Sequence, residues 1–354
     1  MKKGTFSDMY NVTSDNNIPW DTLHGSTVLI TGATGIVGGA LVRAMSEANN
    51  GKLLNMRIIA HNKDKSRGES LAQKYGVESV SGDIREATSI AAIIGNLDYI
   101  FHCAAVTDSA DMVTKPVDVI TTAVDGTRNM LDLVKEHRCK SFVYLSSMEI
   151  YGQLKSNEAY ESDLGYIDLT SPRSCYPESK RFCEALCAAN ASQHGVPVKI
   201  ARLAQTFGFG TPPSDKRVFA QFAKSAIDGK NIELHTNGKS RGNYCYISDT
   251  VRGLLTVLLN GENGEAYNIS NPETSMTIRE MAELVASEIC NGEIKVTVNV
   301  PKDIETRGYA PDVDFILNVD KLKALGWSPK YGLHEMYRRL ITDWQEVNNV
   351  KQES

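Results

Sequence analysis

Residues 28–50 read VLITGATGIVGGALVRAMSEANN. The apolar VLIT predicts a strand, GATGIVGG a glycine turn, and the run after it a helix. Gly32, Gly35 and Gly38 fall at GxxGxxG spacing between the predicted strand and helix. In that order they suit a tight turn, a close approach of backbone to a pyrophosphate, and close packing of helix on strand. The stretch therefore predicts a dinucleotide-binding unit with the phosphates at the helix N-terminus.

The alternation of strands and helices continues down the chain. Further apolar runs are MRIIAHN, ESVSGD, DYIFHCAA, SFVYLSS and VPVKIARL, separated by helix-like segments. This order predicts an α/β fold with a Rossmann-like, doubly wound parallel sheet. Beyond Phe207 glycine and proline become frequent and the elements shorten, which predicts a smaller C-terminal α/β substrate lobe. We expect an N-terminal extension (1–25), a dinucleotide-binding domain (26–207), a mainly substrate-binding lobe (208–346) and a tail (347–354).

Composition narrows the class of protein. The 354 residues carry a formal charge of −5, with 42% hydrophobic and 23% charged residues, as in an ordinary globular chain. This charge gives no attraction to polyanions, so we expect no nucleic-acid partner. The polar N-terminus and the lack of about 18 consecutive apolar residues argue against export and membrane insertion. Seven scattered cysteines without CxxC spacing indicate reduced thiols, a cytoplasmic location and no metal site.

The choice of dinucleotide depends on the end of the second predicted strand. An acidic residue there would bind the ribose hydroxyls of NAD, but the strand ends in Ala60, His61 and Asn62 and is followed by Lys63. We expect His61 and Asn62 to contact the cofactor, with NAD as the cofactor and NADP as an open alternative. Asp83, which ends the next short strand, could accept from the adenine amino group or cap a helix.

Tyr176 and Lys180 lie four residues apart at the start of a predicted helix, so they share one face. A phenol titrates near 10 and needs a fixed positive charge to act as a base at neutral pH. Lys180 can supply that charge. A hydroxyl from Ser146 or Ser147, at the end of SFVYLSS, could bind a substrate oxygen and complete a site for hydride transfer.

Together these motifs resemble the extended short-chain dehydrogenase/reductase family, in its NAD-dependent epimerase/dehydratase group acting on nucleotide sugars. GATGIVGG resembles the cofactor turn of that group, HCAA its fourth-strand end, SSMEIYG its serine strand and YPESK its tyrosine-lysine helix. The similarity extends through ISDTVRGL and DKLKALGW. SPRSCYPESKR is most similar to UDP-glucuronate decarboxylases.

The resemblance implies roles for particular residues. Ser147 would be the catalytic hydroxyl, Tyr176 the acid/base and Lys180 both its activator and a cofactor contact. Gln205, Arg241 and Arg307 would bind the diphosphate of a nucleotide-sugar substrate, although Gln205 stands where the family has asparagine. Further cofactor contacts are expected from residues next to the motif positions, namely Thr34, Ile36, Ile84 and Ala104.

The fate of the oxidised sugar depends on Glu149. If residues 147–151 stay extended, Ser147 and Glu149 project to the same side and the carboxylate flanks the hydroxyl. A carboxylate there is similar to dehydratases and uronate decarboxylases. Met148 stands where glucose 4,6-dehydratases carry an aspartic acid, and a thioether cannot donate a proton. This favours oxidation at C4 followed by decarboxylation over elimination.

The sequence is compatible with two other functions, and the resemblance implies an assembly. A nucleotide-sugar 4-epimerase would need no base beyond Tyr176. A non-catalytic NADP-binding sensor would fit the basic residues after the second strand. The resemblance also implies a homodimer that packs the helix carrying Tyr176 and the helix of residues 121–137 into a four-helix bundle.

Overall fold

The computed structural model describes residues 3–91, 93, 95–301 and 312–353. The α-helices are α1 Lys3–Thr13, α2 Ile36–Lys52, α3 Lys65–Tyr75, α4 Ala87–Ile90, α5 Ser109–Thr114, α6 Pro116–His137, α7 Cys175–His194, α8 Val218–Asp228, α9 Ile247–Asn260, α10 Ile278–Leu284, α11 Asp320–Lys323 and α12 Leu333–Glu353. The strands are β1 Thr27–Thr31, β2 Arg57–Asn62, β3 Glu78–Ser81, β4 Tyr99–His102, β5 Ser141–Ser147, β6 Glu158–Ala159, β7 Val198–Leu203, β8 Gln205–Phe207, β9 Ile232–Leu234, β10 Arg241–Tyr246, β11 Ala266–Ile269, β12 Asn271–Thr277, β13 Val296–Val298 and β14 Ile316–Leu317. Short 3₁₀ helices occupy Trp20–Leu23, Met148–Tyr151 and Pro172–Ser174, and a π-helical turn at Val285–Ile289 follows α10.

Among the described residues, seven parallel strands form the main sheet in the order β11-β7-β5-β4-β1-β2-β3. The chain moves outward from β1 to β3, then returns to β4 and builds in the opposite direction. The strand order therefore reverses between β1 and β4. In open α/β sheets, ligands bind outside the carboxyl ends of the strands at such a reversal. The expected Rossmann-like, doubly wound sheet is confirmed.

Alternate residues of the central strands pack into separate cores on the two faces of the sheet. Val28 and Ile30 of β1 join the core that includes α2 and α9. Leu29 joins the opposite core with Met130 of α6 and Cys183 of α7. This follows from the two-residue period of strand side chains, and it explains why the strands read as continuous apolar runs.

The smaller lobe has its own core. It packs around Phe207 and Phe219, whose rings stack 4.4 Å apart, with β8, β10 and β12 as its sheet. The chain then returns to the main sheet, because α9 packs on it and β11 pairs with β7 through Ala266 and Ile200. Residues 247–269 thus lie in the layers of the main sheet. The domain boundary at residue 208 stays a prediction.

The N-terminal extension packs against both parts of the molecule. Met9 and Val12 of α1 are buried in the core that includes α2 and α9. Asp8 is 2% exposed and accepts a hydrogen bond of 2.7 Å from the Tyr246 hydroxyl of β10. The same carboxylate forms an ion pair with Arg339 of α12. The extension therefore bridges the main sheet and the lobe.

A second buried ion network centres on Arg252 of α9. Its guanidinium donates to Asp249 over 2.9 Å and also pairs with Asp15 of the N-terminal extension. Asp249 is fully buried, and its other oxygen accepts from the amides of Lys330 and Tyr331 over 2.8 and 3.1 Å. Burial raises the pKa of Asp249, which these contacts oppose. One arginine thus joins the extension, α9 and the segment before α12.

We expect Arg252→Ala to lower the free energy of unfolding by about 3–5 kcal/mol, because it leaves the buried Asp249 without its ion-pair partner and Asp15 with the more distant Lys330, 3.9 Å away. Urea unfolding at neutral pH measures the change. Lys230→Ala is the control, since it breaks the exposed ion pair with Asp228 and should cost at most about 1 kcal/mol. Equal losses in the two variants would contradict the interpretation.

Candidate active site

A cavity of about 1560 Å³ opens at the carboxyl ends of the sheet strands and extends to the lobe. Its walls come from the glycine turn, the end of β2, the residues after β4, the end of β5, the start of α7 and lobe segments. Small-molecule sites typically measure about 300–1,000 Å³. This cavity therefore has room for a dinucleotide and a second ligand.

The glycine turn forms a backbone cradle on one wall of the cavity. Gly32 has φ +62°, and a Cβ there would lie 2.9 Å from the backbone of Ala104. At Gly38 a Cβ would lie 2.3 Å from the Gly32 carbonyl oxygen. Gly35 is the N-cap of α2, whose first residue is Ile36. Both glycine contacts exclude a larger side chain, so the cradle fits a pyrophosphate against the start of a helix.

Thr31, just before this turn, holds the residues after β4 in place. Its Oγ1 accepts from the Ala104 amide over 3.1 Å and lies 2.9 Å from Nδ1 of His102. Burial lowers the pKa of His102 to about 3, so this ring is neutral at physiological pH. The HCAA motif therefore places Ala104 directly beside the glycine turn, where we expect it to contact the cofactor.

The end of β2 offers polar atoms to a ligand. Asn62 donates to the Val80 carbonyl over 3.0 Å. Its Oδ1, and Nε2 of His61, are buried without a hydrogen-bond partner among the described residues. Burial lowers the pKa of His61 to about 4, and the charge of Asp83 opposes this shift. Buried polar atoms are normally paired, so these two fit the ribose or base of a bound nucleotide.

Asp83 is held by cations on its own side of the cavity. Arg85 donates to its carboxylate over 3.0 and 2.8 Å, and Nζ of Lys63 lies 3.1 Å away. The hydrogen bonds from Arg85, aided by Lys63, hold the pKa of Asp83 well below its usual range. Ile84 and Thr34 also line the cavity. Contact of Asp83 with adenine stays a prediction.

Tyr176 and Lys180 both face the cavity from the first turns of α7 and are 8% and 4% exposed. The Lys180 ammonium donates to the carbonyl of Leu145 in β5 over 2.7 Å and lies 5.8 Å from the Tyr176 ring centre. Burial lowers the pKa of Lys180 to about 8. Burial raises the pKa of Tyr176 to about 12, and the charge of Glu149 adds to this.

Ser147 ends β5 beside the tyrosine. Its hydrogen bond with Tyr176 opposes the upward shift of the phenol pKa, as do the charges of Arg173 and Arg217. Ser146 is buried, and its hydroxyl has no hydrogen-bond partner among the described residues. The structure thus brings a hydroxyl, a phenol and an ammonium to one wall of the cavity.

The backbone that carries Glu149 differs from the expected extended strand. Residues 147–151 do not stay extended, because Met148–Tyr151 forms a 3₁₀ helix capped by Ser147, whose hydroxyl accepts from the Glu149 amide over 3.2 Å. The strand alternation that was to place Ser147 and Glu149 together is therefore wrong. The Glu149 carboxylate nevertheless lines the cavity and pairs with Arg173 over 2.7 Å.

The expected substrate contacts lie on the far side of the cavity. Gln205 begins β8, and its Oε1 is buried without a hydrogen-bond partner in the described part of the chain. Arg241 begins β10, lines the cavity, and pairs with Asp314 over 2.8 Å. Arg307 lies outside the described residues. The diphosphate role of all three stays a prediction.

Sequence reasoning missed several polar residues of the cavity. Arg173 precedes Tyr176 by three residues in the segment PRSCY, where its position one turn before the tyrosine could have indicated it. Arg217 pairs with Asp215 over 2.6 Å, and its charge acts on Tyr176. His235 has a buried Nδ1 without a partner among the described residues. Neither Arg217 nor His235 lies in a motif that points to the site.

The described residues contain neither a cluster of metal ligands nor a membrane-spanning helix. No group of three or more His, Cys, Asp or Glu side chains there could hold a metal ion. No helix in the same part of the chain is long and apolar enough to cross a membrane.

The chain matches the model of the NAD dependent epimerase/dehydratase family over residues 28–270. It is 32% identical to UDP-glucuronic acid decarboxylase 3 of Arabidopsis thaliana over 91% of this chain and 90% of the relative. It is 29% identical to UDP-glucuronic acid decarboxylase 1 of Danio rerio over 89% of this chain and 71% of the relative.

Solved structures show the same fold. UDP-glucose 4-epimerase of Thermotoga maritima, determined with UDP-glucose, superposes with a TM-score of 0.78 at 23% identity, over 91% of this chain and 99% of the other. The dTDP-glucose 4,6-dehydratase of Bacillus anthracis, determined with NAD, superposes with a TM-score of 0.73 at 21% identity, over 92% of this chain and 98% of the other. With its glycine turn and tyrosine-lysine helix, the chain belongs to the NAD-dependent epimerase/dehydratase family.

Proposed function

We propose that this chain oxidises a nucleoside diphosphate sugar at C4 and then removes its carboxylate, as a UDP-glucuronate decarboxylase does. The observation that carries the proposal is the Glu149–Arg173 pair beside Tyr176 at the cavity wall. A 4-epimerase has no need of a charged pair there. The relatives named UDP-glucuronic acid decarboxylases support the same reaction.

The glycine cradle and the end of β2 are the residues that would hold the dinucleotide. The pyrophosphate fits the Gly32–Gly38 turn, while Asn62 and Ala104 line the cavity on either side of it. When bound, the nicotinamide supplies reversible two-electron oxidation of the sugar alcohol. Gln205 and Arg241 would contact the diphosphate of the sugar nucleotide, because both face the lobe side of the cavity.

The chain's own residues handle the protons. Tyr176 takes up the proton of the C4 hydroxyl, and Ser147 holds the oxygen through a hydrogen bond. Burial opposes the phenolate form of Tyr176, so positive charge near the ring is needed at the moment of transfer. Lys180, Arg173 and Arg217 place positive charge near this ring.

We expect the Glu149–Arg173 ion pair to act in the second step, the loss of the substrate carboxylate. A C4 ketone turns a C5 carboxylate into a β-keto acid, which loses carbon dioxide and leaves C5 to be protonated. Arg173 can attract the carboxylate of the substrate, and Glu149 beside it is the candidate acid/base group for this second step. Met148 is buried and has no proton for a leaving hydroxyl, which weighs against elimination.

Product mass separates the possible reactions. With UDP-glucuronate, we expect a product lighter by one carbon dioxide. Loss of water would indicate a dehydratase. A change in chromatographic retention without a change in mass would indicate an epimerase. We expect Tyr176→Phe to lower kcat by about 10²–10⁴-fold. Tyr160→Phe is the control, because that tyrosine is exposed.

Glu149→Gln distinguishes the proposal from its alternatives. Decarboxylation should fall while C4 oxidation, followed by nicotinamide absorbance, persists. Intact turnover in Glu149→Gln, with loss in Tyr176→Phe, would favour the 4-epimerase. Failure to turn over UDP-glucuronate and related sugar nucleotides, with a dinucleotide still bound, would favour the sensor.

The lowered pKa of Lys180 should make the folding stability of the protein depend on pH. This pKa is near 8 in the folded chain against a usual 10.5, so between these values the unfolded chain holds more protons and the stability of the wild type rises with pH. Relative to Lys180→Met, the wild type should gain about 2 kcal/mol in urea unfolding between about pH 7 and 9.5.

A matched variant separates stability from catalysis. Burial also lowers the pKa of Lys199 to about 8, and its ammonium donates to Ser141 away from the cavity. Lys199→Met should show the same pH trend with activity intact, whereas Lys180→Met should be inactive. A pH-independent difference between Lys180→Met and the wild type would contradict the assignment.

We also propose a homodimer in the cytoplasm. The outer faces of α6 and α7 expose Val117 (68%), Ile120 (41%) and Phe182 (55%), an apolar surface that a second copy would cover. All seven cysteines lie in the described part of the chain and are unpaired, which suits a reducing compartment.

We expect light scattering to give the mass of a dimer for the wild type and of a monomer for Phe182→Asp, because a buried charge opposes association. Leu53→Asp is the control, since Leu53 is exposed at the end of α2, away from these helices. A monomeric wild type, or dissociation in both variants, would contradict the proposal.

A further inference from the structure

The Lys180 ammonium is buried, and its charge needs stabilisation there. The side chain is 4% exposed, and its ammonium donates to the Leu145 carbonyl over 2.7 Å. Burial favours the neutral form of an amine, and one neutral carbonyl offsets only part of that effect. Glu184, one turn further along α7, is used elsewhere, because it pairs with Arg202 over 2.7 Å. A further source of negative potential is therefore needed.

The aromatic ring of Tyr144 supplies such a potential. Tyr144 directly precedes Leu145 in β5 and is 1% exposed. The Lys180 ammonium lies over its ring, 4.8 Å from the ring centre, compared with 5.8 Å from the centre of the Tyr176 ring. The face of an aromatic ring attracts a cation within about 6 Å, and most strongly where water is excluded. The Tyr144 ring therefore favours the charged form of Lys180.

The ring of Tyr144, and not its hydroxyl, makes this contact. The hydroxyl lies beside the Cys183 thiol without a hydrogen bond of normal length, and burial raises the pKa of the phenol. Phe142, two residues earlier in β5, is buried in the same core. Its ring stacks on the neutral His102, with 6.1 Å between the ring centres. Position 142 is therefore a matched aromatic position that faces no ammonium.

Other titratable groups also act on the Lys180 ammonium. They come from β4 with the residue after it and from α7, and they are His102, Cys103, Tyr176, Cys183, Glu184 and Cys187. Burial lowers the pKa of His102 to about 3 and raises the pKa of Cys103 and Cys187, so these three stay neutral near pH 8. The Tyr144 ring thus adds an attraction that does not itself change with pH.

We propose that Tyr144 is a positioning residue for the proposed reaction, because the face of its ring holds the charged Lys180 ammonium beside Tyr176. The Leu145 carbonyl fixes where the ammonium lies, and the neighbouring ring stabilises its charge. The inference rests on the proposed function in that Lys180 activates Tyr176. The contact itself can be measured without a substrate.

Fluorinated phenylalanine at position 144 tests the contact through turnover. Tyr144→Phe keeps the ring and should keep the pH profile of kcat/KM for UDP-glucuronate. Site-specific incorporation of 3,4,5-trifluorophenylalanine withdraws electron density from the ring face with little change in shape. We expect the alkaline limb of the profile to move down by about one pH unit, because the ammonium loses its proton sooner. A purely structural role would lower turnover equally at every pH.

Urea unfolding measures the same contact without turnover. The pKa of Lys180 is near 8 in the folded chain and higher in the unfolded chain, so its protonation makes stability rise with pH between the two values. The part of this rise that Lys180→Met removes should begin about one pH unit lower with trifluorophenylalanine than with Tyr144→Phe. Trifluorophenylalanine in place of Phe142 is the matched control and should change neither measurement.

The outcomes separate this inference from the proposed function. Equal pH dependence of Tyr144→Phe and its trifluorinated counterpart in both measurements overturns the ring contact, as does an equal shift in the control at position 142. A shifted unfolding profile, with no turnover of UDP-glucuronate even by the wild type, supports the contact and overturns the decarboxylase proposal.

Discussion

The close approach of two backbones where the strand order reverses governs the geometry of the site. Gly32 turns out of β1 with φ +62°, and the absence of a Cβ leaves room for the backbone of Ala104. Thr31 accepts a hydrogen bond from the Ala104 amide, so the ends of β1 and β4 are fixed to each other. A side chain at position 32 would push these turns apart and displace the wall of the cavity.

The groups predicted to react are positioned by the strand next to β4. β5 lies beside β4 and ends in Ser147, while the Lys180 ammonium is anchored on the Leu145 carbonyl of the same strand. The positions of the Ser147 hydroxyl, the Tyr176 phenol and the Lys180 ammonium thus depend on β5 and α7. Burial lowers the pKa of Lys180 and raises the pKa of Tyr176, so the phenolate form of Tyr176 requires positive charge nearby, such as that of Arg173 and Arg217.

The parts that could be predicted are those encoded in local patterns. Apolar runs and glycine spacing predicted the main sheet. A strand end and a four-residue spacing predicted that Ser146 or Ser147 would lie with Tyr176 and Lys180, and the family resemblance favoured Ser147. Glu149 was misplaced because its 3₁₀ turn depends on a hydroxyl contact and on Arg173, 24 residues further along. The return of β11 to the main sheet likewise depends on its pairing with β7, which the local hydrophobic pattern of the sequence does not indicate.

The N-terminal extension belongs to the structure that holds the cavity. Met9 lines the cavity, and Asp8 from the same helix accepts from Tyr246 of the lobe and pairs with Arg339 of α12. Removal of the Asp8 carboxylate would leave Arg339 without this ion-pair partner, so displacement of the N-terminal extension costs free energy. Arg252 adds a second tie through Asp15. The sheet and the lobe supply opposite walls of one site, so these buried ion pairs constrain the separation at which a sugar nucleotide meets Tyr176.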